Sequence, residues 1–169
     1  MKYLLCSILL SLSCNASTGL SASVGKVTGK LGTTSARVAI FSESYNEWLS
    51  SYLNHDTFWT IELSHAHWNN QYFEDIKVTT LTPSVKIYWL WQEQALFASL
   101  GVGAAYLTET RFSSRRLGSN WLFEDKLSVG WKMTKQHSVS LSINHYSNAN
   151  FASVNDGSTF VFLDYSYQW

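Results

Sequence analysis

The chain has 169 residues, enough for one domain, and its twelve Lys and Arg residues balance twelve Asp and Glu residues. A formal net charge of zero argues against a nucleic-acid-binding protein or a cationic surface protein. Aromatic residues make up 15% of the chain, and proline occurs once, at Pro83. This composition excludes a disordered chain and fits strands that place amphipathic rings at two interfaces.

Residues 1–22 have the parts of a secretory signal peptide. Lys2 precedes an apolar run over residues 3–12, and small residues follow around Ala16 and Ala22. The apolar run is too short to span a bilayer as a helix. We therefore predict an exported protein with a signal peptide over residues 1–22.

The only two cysteines, Cys6 and Cys14, lie inside this leader. Cleavage after Ala16 or Ala22 would remove both, so the mature chain would contain no disulfide. A lipoprotein signal ending at Cys14 is a weaker alternative because the residues before it are in a poor order for one. The predicted mature domain covers residues 23–169.

Alternation of apolar and polar residues recurs along the mature chain, and this period of two indicates β-strands. In the sixth strand, for example, Phe123, Leu127 and Val129 alternate with Glu124 and Lys126. We predict eight strands over residues 23–31, 34–43, 58–68, 77–90, 96–108, 121–132, 137–148 and 159–169.

Two architectures could use this pattern. A soluble sandwich or lipocalin-like barrel buries the apolar face inside, whereas an outer-membrane barrel turns that face outward. Several strands reach about ten residues, the length that a tilted membrane strand needs. The opposite faces carry Ser, Gly, Lys and Glu, and we expect their charged members to form a network inside the barrel. We favour an all-β, eight-stranded antiparallel transmembrane barrel.

The last strand ends in an aromatic residue, Trp169, with Tyr167 two positions before it. This ending resembles the signal through which outer-membrane barrels engage the barrel assembly machinery. An even number of strands puts both termini in the periplasm, so the loops at 109–120 and 148–158 lie outside. The segment 44–57 then becomes a long periplasmic turn. Eight strands form a barrel filled by side chains rather than a pore.

His145 and Ser147 lie two residues apart near the end of the seventh strand, so their side chains share one face. That face continues backwards as Ile143, Leu141 and Val139. A possible base and a possible nucleophile thus lie on the apolar face, which is the lipid side of a membrane barrel.

Four short motifs resemble one family. The chain is similar to the lipid A 3-O-deacylase (PagL) family of outer-membrane barrels, most specifically over residues 104–169, in His145-Tyr146-Ser147-Asn148-Ala149, Asn155-Asp156-Gly157, Leu117-Gly118-Ser119 and Phe123-Glu124-Asp125. The resemblance implies an esterase that removes the 3-position acyl chain of lipid A, part of lipopolysaccharide, in the cell outer membrane. It also implies a serine nucleophile, a histidine base and an acid that orients the histidine.

Carried over by motif, Ser147 is the nucleophile and His145 the base. Serine needs an adjacent base to take its proton as it attacks an ester. Asn148 is the candidate for the oxyanion hole, through its side chain or nearby backbone amides. The resemblance implies no cofactor and no metal.

The acid departs from the family pattern, because the position two residues after Asn-Asp-Gly is Thr159 here. A tight turn after the sixth strand makes cross-strand partners add up to about 270, which predicts Asp125 opposite His145. We therefore expect Asp125 to orient or charge-balance His145. Asp156 is the second possibility.

Other polar residues have weaker interpretations. Arg111, Arg115 and Arg116 could pair with lipid A phosphates, although an ordinary solvated loop explains them equally well. His65 and His67 have the spacing of metal ligands but lack an evident third ligand, so we predict no metal site. Two other functions stay open: a non-catalytic barrel that acts in adhesion or membrane integrity, and a lipid A acyltransferase.

Overall fold

The computed structural model describes residues 16–29, 33–69, 74–91, 94–112 and 114–169. The predicted apolar run of the leader, with Cys6 and Cys14, lies outside these residues. In chain order the elements are β1 (Ala16–Val27), β2 (Thr34–Tyr45), α1 (Glu47–Leu53), β3 (Thr57–Trp68), β4 (Ile76–Trp91), β5 (Gln94–Leu107), β6 (Arg111–Phe112), β7 (Arg115–Arg116), β8 (Trp121–Lys132), β9 (His137–Ser147) and β10 (Ser158–Gln168).

Eight of these strands close into one antiparallel barrel in the order β1, β10, β9, β8, β5, β4, β3, β2, and β6 and β7 form a separate hairpin. The predicted fold class is confirmed. A path that starts at Ser147 on β9 and steps from each residue to its partner on the next strand returns to β9 at His137, ten residues before Ser147. The barrel therefore has a shear number of ten, which tilts the strands and leaves an interior narrow enough for side chains to fill.

The apolar face of each strand points outward. Val24 and Leu100 are each 64% exposed on the barrel wall, whereas Glu124 in the interior is 0% exposed. This distribution is opposite to that of a soluble sandwich or lipocalin-like barrel, which buries its apolar face. It is the distribution of a barrel that crosses a bilayer, with lipid against the wall and polar groups inside.

Paired charges fill the middle of the barrel. Arg37 donates to Asp164 at 2.8 Å and lies 3.7 Å from Glu62 and 3.8 Å from Glu124. Lys126 donates to both oxygens of Glu62 at 2.7 Å. Because each buried charge has opposite charges around it, the desolvation cost of placing ions inside the wall is offset. The predicted interior network is confirmed.

Apolar side chains close the rim where β9 ends. Trp68, Tyr146 and Phe160 are fully buried there and contact one another, and Phe112 of the β6–β7 hairpin packs onto them. Tyr146 lies between His145 and Ser147 in the sequence and points the opposite way, into the barrel, where its hydroxyl donates to Glu124 at 2.6 Å. This inward anchor fixes the end of β9 and so presents its two neighbours outward.

The turn predicted over residues 44–57 contains the helix α1. Asn46 caps it by accepting a hydrogen bond from the backbone N–H of Leu49 at 2.9 Å, and Glu47 adds a carboxylate to its first turn. The helix lies at the end of the barrel opposite Ser147. Within the described ranges, no helix is long and apolar enough to cross a membrane.

The first strand begins at Ala16, earlier than the predicted 23–31. Leu20 pairs with Ile40 on one side and Tyr167 on the other, so this part of β1 is needed to close the barrel. The leader predicted over residues 1–22 therefore overlaps this strand, because small residues suit both a cleavage site and a strand with an alternating pattern.

We propose that the leader is cut after Ala16 rather than after Ala22. Loss of residues 17–22 would leave the facing parts of β2 and β10 as unpaired edges. Intact-mass measurement of protein purified from outer membranes should give a chain that begins at Ser17. A mature chain that begins at Ser23 would contradict this proposal.

Candidate active site

Three neighbouring strands bring the predicted catalytic residues together at one rim. His145 on β9 has Asp125 directly opposite on β8 and Thr159 directly opposite on β10. The predicted register, with partners adding up to 270, is confirmed. All three side chains lie on the outward face of the wall, because alternate residues on these strands point inward.

The imidazole of His145 is bonded to Thr159. Its Nδ1 lies 2.8 Å from the Thr159 hydroxyl oxygen, and the ring is half-buried. Among the described residues, no hydrogen bond joins His145 to Asp125. If Nδ1 carries the hydrogen and donates it to Thr159, Nε2 is the unprotonated nitrogen that can accept a proton. Thr159 therefore fixes the ring, and the charged group nearest in register is Asp125.

Ser147 is the last residue of β9 and is half-buried on the same face as His145. The strand spacing puts their Cα atoms about 6.6 Å apart, a distance that two side chains can bridge. In the described part of the chain the two side chains are not hydrogen-bonded to each other. Hydrogen bonds between a nucleophile and its base often tighten only once substrate is bound.

Asn148 is buried and connects two outer loops. Its side-chain amide donates to the carbonyl oxygens of Leu117 at 2.8 Å and Val154 at 2.7 Å, and its backbone N–H donates to Asn155 at 3.0 Å. These bonds use both amide hydrogens and the N–H. The assignment of the Asn148 side chain to an oxyanion hole stays a prediction, and in this arrangement the residue acts as a loop connector.

The outer loops are also held together by Asp156. Its carboxylate accepts a hydrogen bond from the backbone N–H of Arg116 at 2.6 Å, and its own N–H donates to the Arg116 carbonyl at 3.1 Å. Asp156 thus faces the β6–β7 hairpin rather than His145. Asp156 therefore holds two outer loops together, and the side chain that bonds the imidazole is that of Thr159.

The three predicted phosphate ligands separate into two kinds. Arg111 and Arg116 are exposed and lie directly opposite each other in the β6–β7 hairpin. Arg115 is half-buried, and its guanidinium donates to the carbonyl oxygens of Gly157 at 2.9 Å and Thr28 at 3.3 Å. Arg111 and Arg116 can therefore receive an anion, whereas Arg115 is already bound to the backbone.

His65 and His67 lie on the opposite wall of the barrel, on β3. His65 Nδ1 is 3.0 Å from the Thr79 hydroxyl, and His67 Nε2 is 2.9 Å from the Asp75 carboxylate. Within the part of the chain that the structure describes, no group of three or more His, Cys, Asp or Glu residues could hold a metal ion.

The wall below the site is apolar and open to the membrane. Ile143, Leu127 and Val161 are exposed beneath His145, and the ring of Phe123 lies 6.0 Å from that of Phe151 in the outer loop. This side of the barrel therefore presents apolar side chains directly below the rim that carries His145.

A closed barrel with an apolar outer wall, interior charges and a His–Ser–Thr cluster at one rim defines a small transmembrane barrel with an enzyme-like site. The chain belongs to the lipid A 3-O-deacylase (PagL) family, whose sequence profile matches residues 35–168. The resemblance seen in the motifs is thereby confirmed.

Individual relatives agree with this assignment. The lipid A deacylase PagL of Bordetella bronchiseptica is 29% identical over 86 residues, which are 51% of this chain and 48% of that protein. The chain thus spans about half the length of this curated relative in the match. The crystal structure of the outer membrane enzyme PagL has the same fold, with a TM-score of 0.77, 22% identity, and coverage of 88% of this chain and 98% of that one. The N-terminal β-barrel domain of Pseudomonas aeruginosa OprF is more distant, with a TM-score of 0.54, 11% identity, and coverage of 90% and 97%.

Proposed function

We propose that this chain is an outer-membrane esterase that hydrolyses the 3-position acyl ester of lipid A. The observation that supports this most directly is the placement of His145 and Ser147 on the outward face, with the imidazole held at Nδ1 by Thr159. Family membership supplies the substrate class. The substrate lies beside the barrel, with its acyl chain along the apolar wall.

The reaction proceeds in two steps. Ser147 Oγ attacks the ester carbonyl carbon while His145 Nε2 accepts the hydroxyl proton. The tetrahedral intermediate collapses, the C–O bond to lipid A breaks, and the leaving 3-hydroxyl receives the proton from His145. Water, deprotonated by the same imidazole, then attacks the acyl-serine carbonyl, the bond from that carbon to Ser147 Oγ breaks, and the imidazole returns the proton to Oγ as the fatty acid leaves.

The intermediate carries a negative charge that needs hydrogen-bond donors. The Asn148 amide is used by the loops, and the backbone N–H groups of Asn150 and Phe151 donate to Asn148 at 2.9 Å, so we infer that the donor is the backbone N–H of Ala149. Ala149 and Asn150 have positive φ values of 51° and 65°, so the chain turns sharply here and can direct this N–H toward the ester. Such donors have a larger effect at a lipid interface than in water because the dielectric is lower.

Arg111 and Arg116 are proposed to bind a lipid A phosphate. Like charges directly opposite each other in a hairpin destabilise it unless an anion lies between them. Guanidinium groups bind phosphate through paired hydrogen bonds. The two arginines lie on the outer loops, at the level expected for headgroups, and we infer that they orient the substrate over Ser147.

The C-terminal strand is proposed to engage the barrel assembly machinery. β10 ends beside β1, where the backbone N–H of Trp169 donates to the carbonyl oxygen of Thr18 at 3.0 Å. The aromatic ending suits recognition of this strand before the barrel closes.

Mass spectrometry of lipid A tests the proposed reaction. Cells that make the protein should yield lipid A lighter by one acyl chain, with the loss at the 3-position. Unchanged lipid A would leave a non-catalytic barrel as the remaining function. Lipid A that gains acyl mass would indicate an acyltransferase instead.

Replacing Asp125 by asparagine tests the charge partner of His145. We expect kcat to fall about tenfold, because the carboxylate directly across the strand stabilises the imidazolium that forms in the transition state. The matched control is Asp75→Asn, which removes a carboxylate beside His67 on the opposite wall and should not change the rate. If Asp125→Asn retains full activity, Thr159 alone orients the base and the role of Asp125 is wrong.

A further inference from the structure

One segment of the chain holds the His145 ring at two points. Nδ1 is bonded to Thr159, as described above. Two residues earlier lies Gly157, where a Cβ atom would be 3.1 Å from Cε1 of the imidazole and 3.5 Å from Nε2. The ring therefore packs closely against Gly157. If Gly157 moved away the imidazole would be free to rotate, and if it moved closer the imidazole would be pushed out of position.

The position of Gly157 is determined by Arg115. The guanidinium donates to the Gly157 carbonyl at 2.9 Å and, through its other terminal nitrogen, to the Thr28 carbonyl at 3.3 Å. Thr28 in turn donates its N–H to the carbonyl oxygen of Thr159 at 2.8 Å. These contacts form a closed circuit through Arg115, Gly157, Thr159 and Thr28, and the imidazole lies against two of its members.

We propose that Arg115 is a positioning residue, which acts through Gly157 and Thr159 to hold the His145 ring in its productive orientation. The proposal rests on the proposed function for its catalytic consequence, but the arrangement of the ring is a separate property. Arg115 comes from the β6–β7 hairpin and Thr28 from the turn after β1. Two outer loops thus set the geometry of a base that belongs to neither.

The planar fork of arginine explains why this residue type is required. Two carbonyl oxygens on different loops can each take an N–H from one rigid guanidinium. Lysine keeps the positive charge but has a single flexible ammonium group, so it cannot fix both carbonyls in the same way. A phosphate ligand, in contrast, would be largely replaced by lysine. Arg115→Lys therefore separates the two roles.

Steady-state kinetics of the full-length protein in nanodiscs that contain lipid A provide the first test. We expect Arg115→Lys to lower kcat about tenfold or more and to change KM less than about twofold, because a small misplacement of a catalytic group reduces the rate of the chemical step. Arg111→Ala, which removes a proposed phosphate ligand, is the comparison and should raise KM instead. Arg115→Lys with wild-type kcat, or with only a raised KM, would overturn the proposal.

Nitrogen NMR of histidine-labelled protein provides a test that does not depend on activity. The His145 ring signals, assigned with a His145→Gln variant, should change in Arg115→Lys as Nδ1 loses its fixed bond to Thr159, whereas those of His65 should not. Retention of the heat-dependent gel shift would show that the barrel is intact. Unchanged His145 signals would overturn the proposal even if the wild-type protein proves inactive, while changed signals without deacylation would contradict only the proposed function.

Discussion

Replacing Ser147 by alanine is expected to reduce deacylation of lipid A by about a thousandfold or more, the scale of loss when a nucleophilic serine is removed. Without the hydroxyl no acyl-enzyme can form, and water would have to attack the ester directly. The barrel should stay folded because Ser147 is half-buried at a strand end, where its removal creates no internal cavity. Release of fatty acid from purified lipid A by enzyme in nanodiscs measures this rate.

Ser153 offers the matched control for this variant. It lies in the outer loop that follows Ser147 and is exposed, so Ser153→Ala alters a rim hydroxyl without touching the proposed site. We expect Ser153→Ala to match the wild type in rate. A Ser147→Ala protein that remains fully active would show that another group attacks the ester, or that the activity does not reside at this rim.

The alternation of side chains was sufficient to predict the barrel. Each outward face carries enough Leu, Val and aromatic residues to be distinguished from an inward face of Ser, Gly, Lys and Glu. Alternation also predicts that Arg37 and Asp164 point inside. Arg37 lies on the face opposite Val38 and Ile40, and Asp164 lies between the outward residues Leu163 and Tyr165. The sequence alone could not show which charges pair, because the pairing joins strands that are far apart in the chain.

The site was only partly predictable. Counting residues back from the turn placed Asp125 opposite His145, as the structure shows. The same counting cannot decide which neighbour forms the hydrogen bond with the imidazole. Asp125 and Thr159 both lie directly opposite His145, and a rotation of the His145 side chain determines which of them the ring contacts. The contact of Arg115 with Gly157 could not be predicted from the sequence for a related reason. Sequence gives the charge of a loop residue but not the direction in which its side chain points.

Thr159 occupies the position where the motif resemblance implies an acid, and two substitutions there have opposite expected effects. Thr159→Val removes the hydroxyl bonded to Nδ1 at 2.8 Å, so the ring loses the contact that fixes its orientation. We expect kcat to fall about tenfold to a hundredfold. The lower limit corresponds to the loss of one hydrogen bond, and the upper limit to a catalytic base that is no longer correctly oriented. Retained activity in Thr159→Val would mean that Asp125 or Gly157 is sufficient to hold the ring.

Thr159→Glu should instead raise kcat above that of the wild type, by about tenfold, because a carboxylate at Nδ1 stabilises the imidazolium of the transition state more strongly than a hydroxyl does. The carboxylate also favours the protonated ring, and the reaction needs the neutral ring, so the acid limb of the pH–rate profile should move to higher pH. The matched control is Thr79→Glu, since Thr79 bonds His65 in the same geometry on the opposite wall. A folded Thr159→Glu protein with lower activity than wild type would show that the threonine is required for packing around His145 rather than standing in for an acid.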